Sequence, residues 1–380
     1  MKVAVTILVF CVAALLALGM VMLYSSSVES LDRHQVAIGA HYLVMQLIWC
    51  GLGLGLCVIA ALINGRVLKK SAWLLLGFML ILLVLVVVPH IGKRINGASR
   101  WFSFHGISLQ PSEFAKIALI LALASYGDRF QRQMHTLKKG VLFPGIFIGL
   151  TLGLIFIEPD VGNALLLASV SCGLLLIAGL KLKYFLPPVI AGLIAISTFI
   201  YHNPMRSERV YSWLHLEETK HDKGLQAYQA QLALGAGNWT GLGLGNGRQK
   251  LGWVPEHHTD FILAIIGEEL GLIATLLICA AFVAIVGCGV FIAAHARDTF
   301  STLLASGLTF LIGLQAMINI GVVTNALPNK GLPLPFISYG GSNLLAMLIC
   351  VGLLLNVARH ARVAETSLPT DLETAEPQNA

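Results

Sequence analysis

The sequence predicts an all-α polytopic membrane protein of about ten transmembrane helices, with a large extracytoplasmic loop between spans seven and eight. Three observations predict it. Hydrophobic residues make up 57% of the 380 and charged residues only 12%, against about 25% charged in ordinary soluble chains; mean hydropathy is +0.80. Apolar runs recur from end to end, each of the about 17–25 residues that cross a bilayer. The runs are solidly apolar and do not alternate, which excludes a transmembrane β-barrel.

The first run, near 3–24, follows Lys2. It exceeds the about 7–15-residue core of a cleaved signal peptide and has no small-x-small site before Tyr24, so it reads as a retained span. Further spans fall near 41–63, 71–89, 110–126, 141–157, 162–180, 184–201, 260–294, 301–325 and 342–358. Lys2, Arg66, Lys69, Lys70, Arg129, Arg132, Lys138, Lys139, Lys181, Lys183, Arg297, Arg359 and Arg362 share one side, which the positive-inside rule makes cytoplasmic. Both termini then lie in the cytoplasm, and segment 202–259 lies outside. Residues 1–362 read as one membrane domain and 363–380, polar and acidic, as a disordered cytoplasmic tail. The net charge of +6 resides mostly in topogenic loops and implies no nucleic acid. The seven cysteines lie in apolar runs without metal-ligand spacing and read as small core residues.

Polar motifs interrupt this frame on the outer side. Lys93, Arg94 and Arg100 break the positive-inside bias, next to Trp101 and Phe102; they form either a solvated loop with an aromatic anchor or a lip for a phosphorylated ligand. In Gln110-Pro-Ser-Glu-Phe-Ala-Lys116, Pro111 suits the first turn of a helix and Glu113 favours its positive end. Glu113 and Lys116, three apart, share a face and pair, as a structural ion pair or as the wall of a polar cavity. Glu158-Pro-Asp160 makes a tight turn with Asp160 as a helix N-cap or as part of a polar network.

Within the outer segment, Tyr228–Leu234 suits a short helix. The glycine-dense stretch 235–247 lacks the strand that a nucleotide-binding loop requires; close backbone approach explains it better. Arg248 and Lys250 follow and can meet phosphate. Then Trp253–Gly271 crowds Glu256, His257, His258, Thr259 and Asp260 ahead of an apolar run carrying Glu268 and Glu269, and ionisable groups at membrane depth are functional candidates. Asp260 is read as a helix N-cap, a catalytic carboxylate, or both. Segment 327–342, with Lys330, Ser338, three prolines and several glycines among apolar residues, suits a broken or re-entrant stretch packed on protein.

Val254-Pro-Glu-His-His-Thr-Asp-Phe-Ile, Gly267-Glu-Glu-Leu-Gly, Gln110-Pro-Ser-Glu-Phe-Ala-Lys, Glu158-Pro-Asp-Val-Gly and Pro335-Phe-Ile-Ser-Tyr-Gly-Gly-Ser together resemble the SEDS family (FtsW, RodA and SpoVE), in order from about Tyr24 to Arg359. Lys330-Gly331 and Gly243-Leu-Gly-Asn-Gly-Arg-Gln-Lys-Leu251 resemble the FtsW branch more than the RodA branch. His257 and Asn163 depart from the family pattern. The resemblance implies a glycosyltransferase of the bacterial cytoplasmic membrane, acting in cell division or cell shape. It would polymerise lipid II, an undecaprenyl-pyrophosphate-linked disaccharide peptide, into peptidoglycan on the outer face. It also implies a class B penicillin-binding protein as transpeptidase partner, other divisome or elongasome proteins, and Asp260 as the essential acid, with Glu113 and Lys116 carried over.

The chemistry agrees with the residues. Attack by a sugar hydroxyl on an anomeric carbon passes through an oxocarbenium-like state. It needs a carboxylate beside the nucleophile and positive charge beside the leaving pyrophosphate. Asp260 supplies the first. Outer arginines and lysines supply the second, or a divalent cation, magnesium or manganese, held transiently at Asp260. Glu256 and His258 are further cavity candidates. A flippase or transporter of a lipid-linked substrate fits the same bundle on physical grounds.

Overall fold

The computed structural model describes residues 1–27, 33–95, 98–104, 107–249 and 258–366. In chain order the helices are α1 (Lys2–Ser27), α2 (Arg33–Leu62), α3 (Gly65–Val87), α4 (Pro111–Arg129), α5 (Phe143–Ile157), α6 (Val161–Ile177), α7 (Leu182–His202), α8 (Pro204–Leu214), α9 (Leu216–Thr219), α10 (Leu225–Ala236), α11 (Ile262–Ala294), α12 (Thr299–Val323) and α13 (Gly341–Thr366). A helix falls on every span that hydropathy marks. Eight of them are long and apolar enough to cross a membrane. The exceptions are α4, which carries Glu113, Lys116, Asp128 and Arg129, and α6, which is 17 residues long.

Helix α4 is the central stave. Pro111 opens it, where a missing N–H costs nothing, and its residues from Pro111 to Gly127 are buried except Phe114. It packs against α3, α12, α6 and α13, while α13 lies along α2 and α1 along α11. Helix α7 is the opposite case: it buries no residue and carries Pro187 and Pro188 inside.

The all-α expectation holds for the membrane body, with one addition among the described residues. Residues after α3 form an antiparallel meander of β1 (Lys93–Ile95), β2 (Ala98–Phe104) and β3 (Ile107–Leu109), with Lys93 opposite Trp101 and Phe102 opposite Leu109. Strands this short carry little periodicity for a sequence to display. Segment 202–259 is also more helical than a loop: α10 covers the expected Tyr228–Leu234, and α8 and α9 precede it. Helix α13 continues to Thr366, past the boundary expected at 362; the tail from 367 lies outside the described residues.

Helix α11 is broken at Gly271, whose φ of 77° leaves the helical region. The break seats the glycine-dense stretch. Leu242 and Gly243 donate backbone N–H groups to the Glu268 and Glu269 carbonyls, and Leu272 and Ile273 donate to those of Asn238 and Trp239. A Cβ on Gly241 (φ 80°) would lie 2.2 Å from the Glu269 carbonyl oxygen. Close backbone approach, the reason expected for these glycines, holds at Gly237 and Gly241, whereas a Cβ on Gly235 or Gly245 would meet nothing. The carboxylates of Glu268 and Glu269 finish the seal. Glu268 accepts from the backbone N–H groups of Arg248 (2.8 Å) and Gln249, and Glu269 from Gly245 N–H (3.1 Å) and the Ser25 hydroxyl (2.5 Å).

Candidate active site

A polar cavity of about 800 Å³ lies between β2, α8, α10, the head of α11 and the loop after α12. Asp260 is in its wall, together with Arg100, Trp101, Arg209, Trp213 and Lys223. Asp260 is not the N-cap of α11. That helix begins at Ile262 with Phe261 in the cap position and no side-chain cap bond, so Asp260 lies one residue ahead of the cap, on the cavity wall.

The turn carrying Asp260 is fixed from outside. Asn319 of α12 donates to the Asp260 carbonyl (2.8 Å) and the Leu332 carbonyl (2.7 Å). The Ser338 hydroxyl donates to the Thr259 carbonyl (2.6 Å) and accepts from Leu334 N–H (2.8 Å). Tyr339 N–H donates to the His258 carbonyl (2.9 Å), and Tyr42 packs between the His258 and Tyr339 rings. The loop 324–340 is irregular yet buries Leu332, Leu334, Phe336 and Ile337, the packed broken segment its composition suggested. Gly331 sits so near Asp260 that a Cβ there would lie 2.1 Å from Oδ2.

Beside the cavity, at the heads of α4 and α6, a buried network is closed on itself. Lys116 Nζ lies 2.9 Å from Glu113 Oε2, both side chains almost fully buried. Lys116 also donates to Asn163 (3.1 Å) and Gln315 (3.3 Å); Asn343 donates to Glu113 (2.8 Å). Asp160 caps α6 by accepting from Asn163 N–H, and it accepts from the Asn163 amide (2.9 Å) and Gln110 (3.3 Å). Asn163 thus bridges Asp160 to the Glu113–Lys116 pair. Arg100 joins the two regions: it donates to the carbonyls of Glu158 (2.7 Å) and Pro159 (2.8 Å) and lies 3.8 Å from Asp160 Oδ2.

Charge is concentrated here. Burial, and then Arg206 and Arg209, push the Lys330 ammonium down to about 8 against the opposing pull of Asp160. Burial, and then Asp160, push the Glu158 carboxyl up to about 8 against Arg100. Burial, then Arg209 and Arg100, also lower the Arg206 guanidinium.

The structure therefore gathers Asp260, Arg100, Asp160, Glu113, Lys116, Lys330, His258 and Ser338 around one end of the bundle. Lys93 and Arg248 are exposed and do not line the cavity. The side chain of Arg94, and Lys250, Glu256 and His257, lie outside the described residues. Sequence reasoning missed Asn319, Gln315 and Asn343, whose signal is a lone amide inside an apolar run. It also missed Arg206 and Arg209, whose signal is a basic pair in Pro204-Met-Arg-Ser-Glu-Arg209. No group of three or more His, Cys, Asp or Glu able to hold a metal occurs among the described residues. A hard cation such as magnesium is often held by one or two carboxylates with substrate phosphates and water, and Asp260 with a pyrophosphate fits that donor set.

Among the described residues, two carboxylates, Asp260 and Glu208, and three cations, Arg100, Arg209 and Lys223, line one polar cavity of a helical body, which defines the class as a multi-spanning membrane protein with a charged cavity. The chain belongs to the FtsW/RodA/SpoVE family: the model of that family, described as a cell cycle protein, matches residues 6–363. It is 41% identical over 363 residues to a probable peptidoglycan glycosyltransferase FtsW of Trichlorobacter lovleyi, covering 94% of each chain. It is 40% identical over 358 residues to the Coxiella burnetii protein of the same name, covering 92% of this chain and 95% of that one. Its fold matches a chain from a structure on the coordination of polymerization and crosslinking by a peptidoglycan synthase complex (TM-score 0.78, 29% identity, 93% and 97% covered). It also matches the Thermus thermophilus rod shape determining protein RodA (TM-score 0.69, 28% identity, 93% and 95% covered).

Proposed function

We propose that this protein is a peptidoglycan glycosyltransferase that polymerises lipid II at the outer face of the bacterial cytoplasmic membrane. It would span that membrane ten times with both termini inside. The observation that carries the reading is Asp260 in the wall of an 800 Å³ cavity that also holds Arg100 and Arg209. Full-length relatives named as probable peptidoglycan glycosyltransferases support it.

The roles follow from position. Asp260 orients the attacking sugar hydroxyl and takes its proton late, as the carbon–oxygen bond forms, because a sugar hydroxyl is a far weaker acid than a carboxyl group. Asn319 and Ser338 hold its turn through the backbone, and Gly331 leaves room for its carboxylate. Arg100 and Arg209 face the departing pyrophosphate, where charge develops. Trp101 and Trp213 offer flat faces to sugar rings. The Glu113–Lys116 network positions Arg100 through Asp160 and touches no substrate. A divalent cation, when bound, would neutralise pyrophosphate charge beside Asp260. A transpeptidase of the class B penicillin-binding type is the expected partner, in keeping with the synthase complex that the fold resembles.

The test is purified protein given lipid II in detergent. Glycan strands are expected from the wild type and none from Asp260→Asn. A flippase, needing a membrane to act across, would make no strands; such an outcome would remove the polymerase reading.

A further inference from the structure

The turn between α5 and α6 grips one arginine of the cavity wall. Arg100 donates from Nε to the Glu158 carbonyl (2.7 Å) and from Nη2 to the Pro159 carbonyl (2.8 Å), and its Nη1 lies 3.8 Å from Asp160 Oδ2. Two neutral acceptors and one carboxylate thus hold the guanidinium, which stays partly exposed in the cavity wall.

The Glu158 side chain stands in the same turn and takes no part in that grip. It is 1% exposed, and both of its carboxyl oxygens are buried without a hydrogen-bond partner among the described residues. It does not line the cavity, so it does not reach substrate. Asp160, two residues on, is treated differently: it accepts from the Asn163 N–H, the Asn163 amide and Gln110. Donors converge on Asp160 and none reaches Glu158. Stripped of both water and donors, a carboxylate is far more costly than the neutral acid. The turn is therefore built for one negative charge, not two. The charged groups that act on Glu158 are Arg100 of β2 and Asp160 at the head of α6. Arg206 of α8 and Lys330 of the loop after α12 act in turn on these neighbours. The charged groups at the head of α4, Glu113 and Lys116, pair with each other.

A second carboxylate in this turn would fall beside Arg100. Opposite charges this close and partly removed from water interact strongly. The guanidinium would be neutralised by its own scaffold, and a departing pyrophosphate would lose the field that stabilises it.

We propose that Glu158 is a positioning residue for the transfer reaction: as a neutral acid it offers Arg100 only its backbone carbonyl and leaves the guanidinium charge to a pyrophosphate in the cavity. The proposal rests on the polymerase reading and adds to it an alkaline limit set in the α5–α6 turn. Burial, and then Asp160, hold the Glu158 proton up to about pH 8. Below that pH the acid is neutral and Arg100 is unopposed by it; as pH rises through it, Glu158 ionises and anion binding weakens. Lys330 loses its own proton near the same pH, a decline that every Glu158 variant shares. The part due to Glu158 is the difference between the curves.

The experiment measures binding of undecaprenyl pyrophosphate to full-length protein in detergent between about pH 6 and about pH 9.5, with the unfolding temperature recorded at each pH so that only folded protein is compared. At the acidic end, wild type and Glu158→Gln should agree within about twofold. At the alkaline end, the wild type should bind about tenfold more weakly than Glu158→Gln. Glu158→Met, neutral and of similar length, should follow Glu158→Gln and decides the matter should that variant not fold. In an Arg100→Gln background, replacing Glu158 by Gln should change binding by less than about twofold at every pH, which a merely structural Glu158 would not produce. Parallel curves for the wild type and the neutral variants, or an undiminished difference in the Arg100→Gln background, would each overturn the proposal. Binding needs no turnover, so lipid II polymerisation by the same samples separates the two readings. Glycan strands with parallel binding curves overturn the role of Glu158 alone; the expected divergence without glycan strands upholds that role as a control on anion binding and overturns the polymerase.

Discussion

Two carboxylates near one end of the bundle serve opposite ends. Glu113 is sealed in the interior, with Lys116, Asn163 and Asn343 all donating to it. Asp260 is only half-buried, stands in the wall of a large cavity and is positioned through the backbone of its turn. A buried charge surrounded by donors is a fixed strut. A carboxylate whose turn is held through its backbone, beside room for a substrate, is placed for chemistry. Glu268 and Glu269, eight and nine residues on, are struts as well, their oxygens bound to the glycine-dense stretch.

The contrast makes its largest demand on the strut. Glu113→Ala or Lys116→Ala should each cost about 3–5 kcal/mol, because a buried charge loses its partner, and thermal unfolding in detergent would register it. A variant that unfolds like the wild type would place the pair in contact with water. Next in size is Gly331→Ala. Its methyl would displace the Asp260 carboxylate rather than backbone, so polymerisation should fall by about tenfold or more, with unfolding nearly unchanged. Ser338→Ala removes one hydrogen bond to the same turn and strands the buried Leu334 N–H, a loss of about 1–3 kcal/mol.

The smallest effect is a pH dependence. The buried Glu158 carboxyl, raised to about 8, holds its proton in the folded state at pH values where the unfolded chain has lost it. Its contribution to stability is therefore full below the ordinary carboxylate range and is lost as pH rises towards 8. Glu158→Gln should match the wild type under acidic conditions and unfold at a higher temperature than the wild type at pH 8–9. Parallel curves at every pH would show that Glu158 is ionised in the folded protein.

Much of this was legible in the sequence, for physical reasons that differ by element. Every long helix was marked, because crossing a bilayer forces a long apolar run. The Glu113–Lys116 pair and the Asp160 cap could be read because both are local, three residues apart. The close approach served by Gly241 was foreseen in kind, though not its partner at the Gly271 break. What stayed hidden depends on distant contacts. Nothing local says that Asn319 would hold Asp260, 59 residues away, or that Gln315 would reach Lys116, 199 residues away. Pyrophosphate-binding charge was sought in Lys93, Arg94, Arg100, Arg248 and Lys250, with Lys330 a further cavity candidate; among the described residues the cavity and its surroundings took Arg100 and Lys330 and added Arg206 and Arg209. Arg248 is exposed and does not line the cavity, and its backbone N–H is bound to Glu268.

The most direct measurement compares the two carboxylates in one experiment. Asp260→Asn and Glu113→Gln are purified alongside the wild type, and for each the unfolding temperature and the rate of lipid II polymerisation are recorded. Asp260→Asn is expected to unfold with the wild type while losing polymerisation by a factor of at least about 100, the lower end of what a positioned acid or base contributes. Glu113→Gln is expected to lose stability and activity together. An Asp260→Asn variant that polymerises lipid II at near the wild-type rate, or that loses activity only in proportion to lost stability, would contradict the account and make Asp260 another strut.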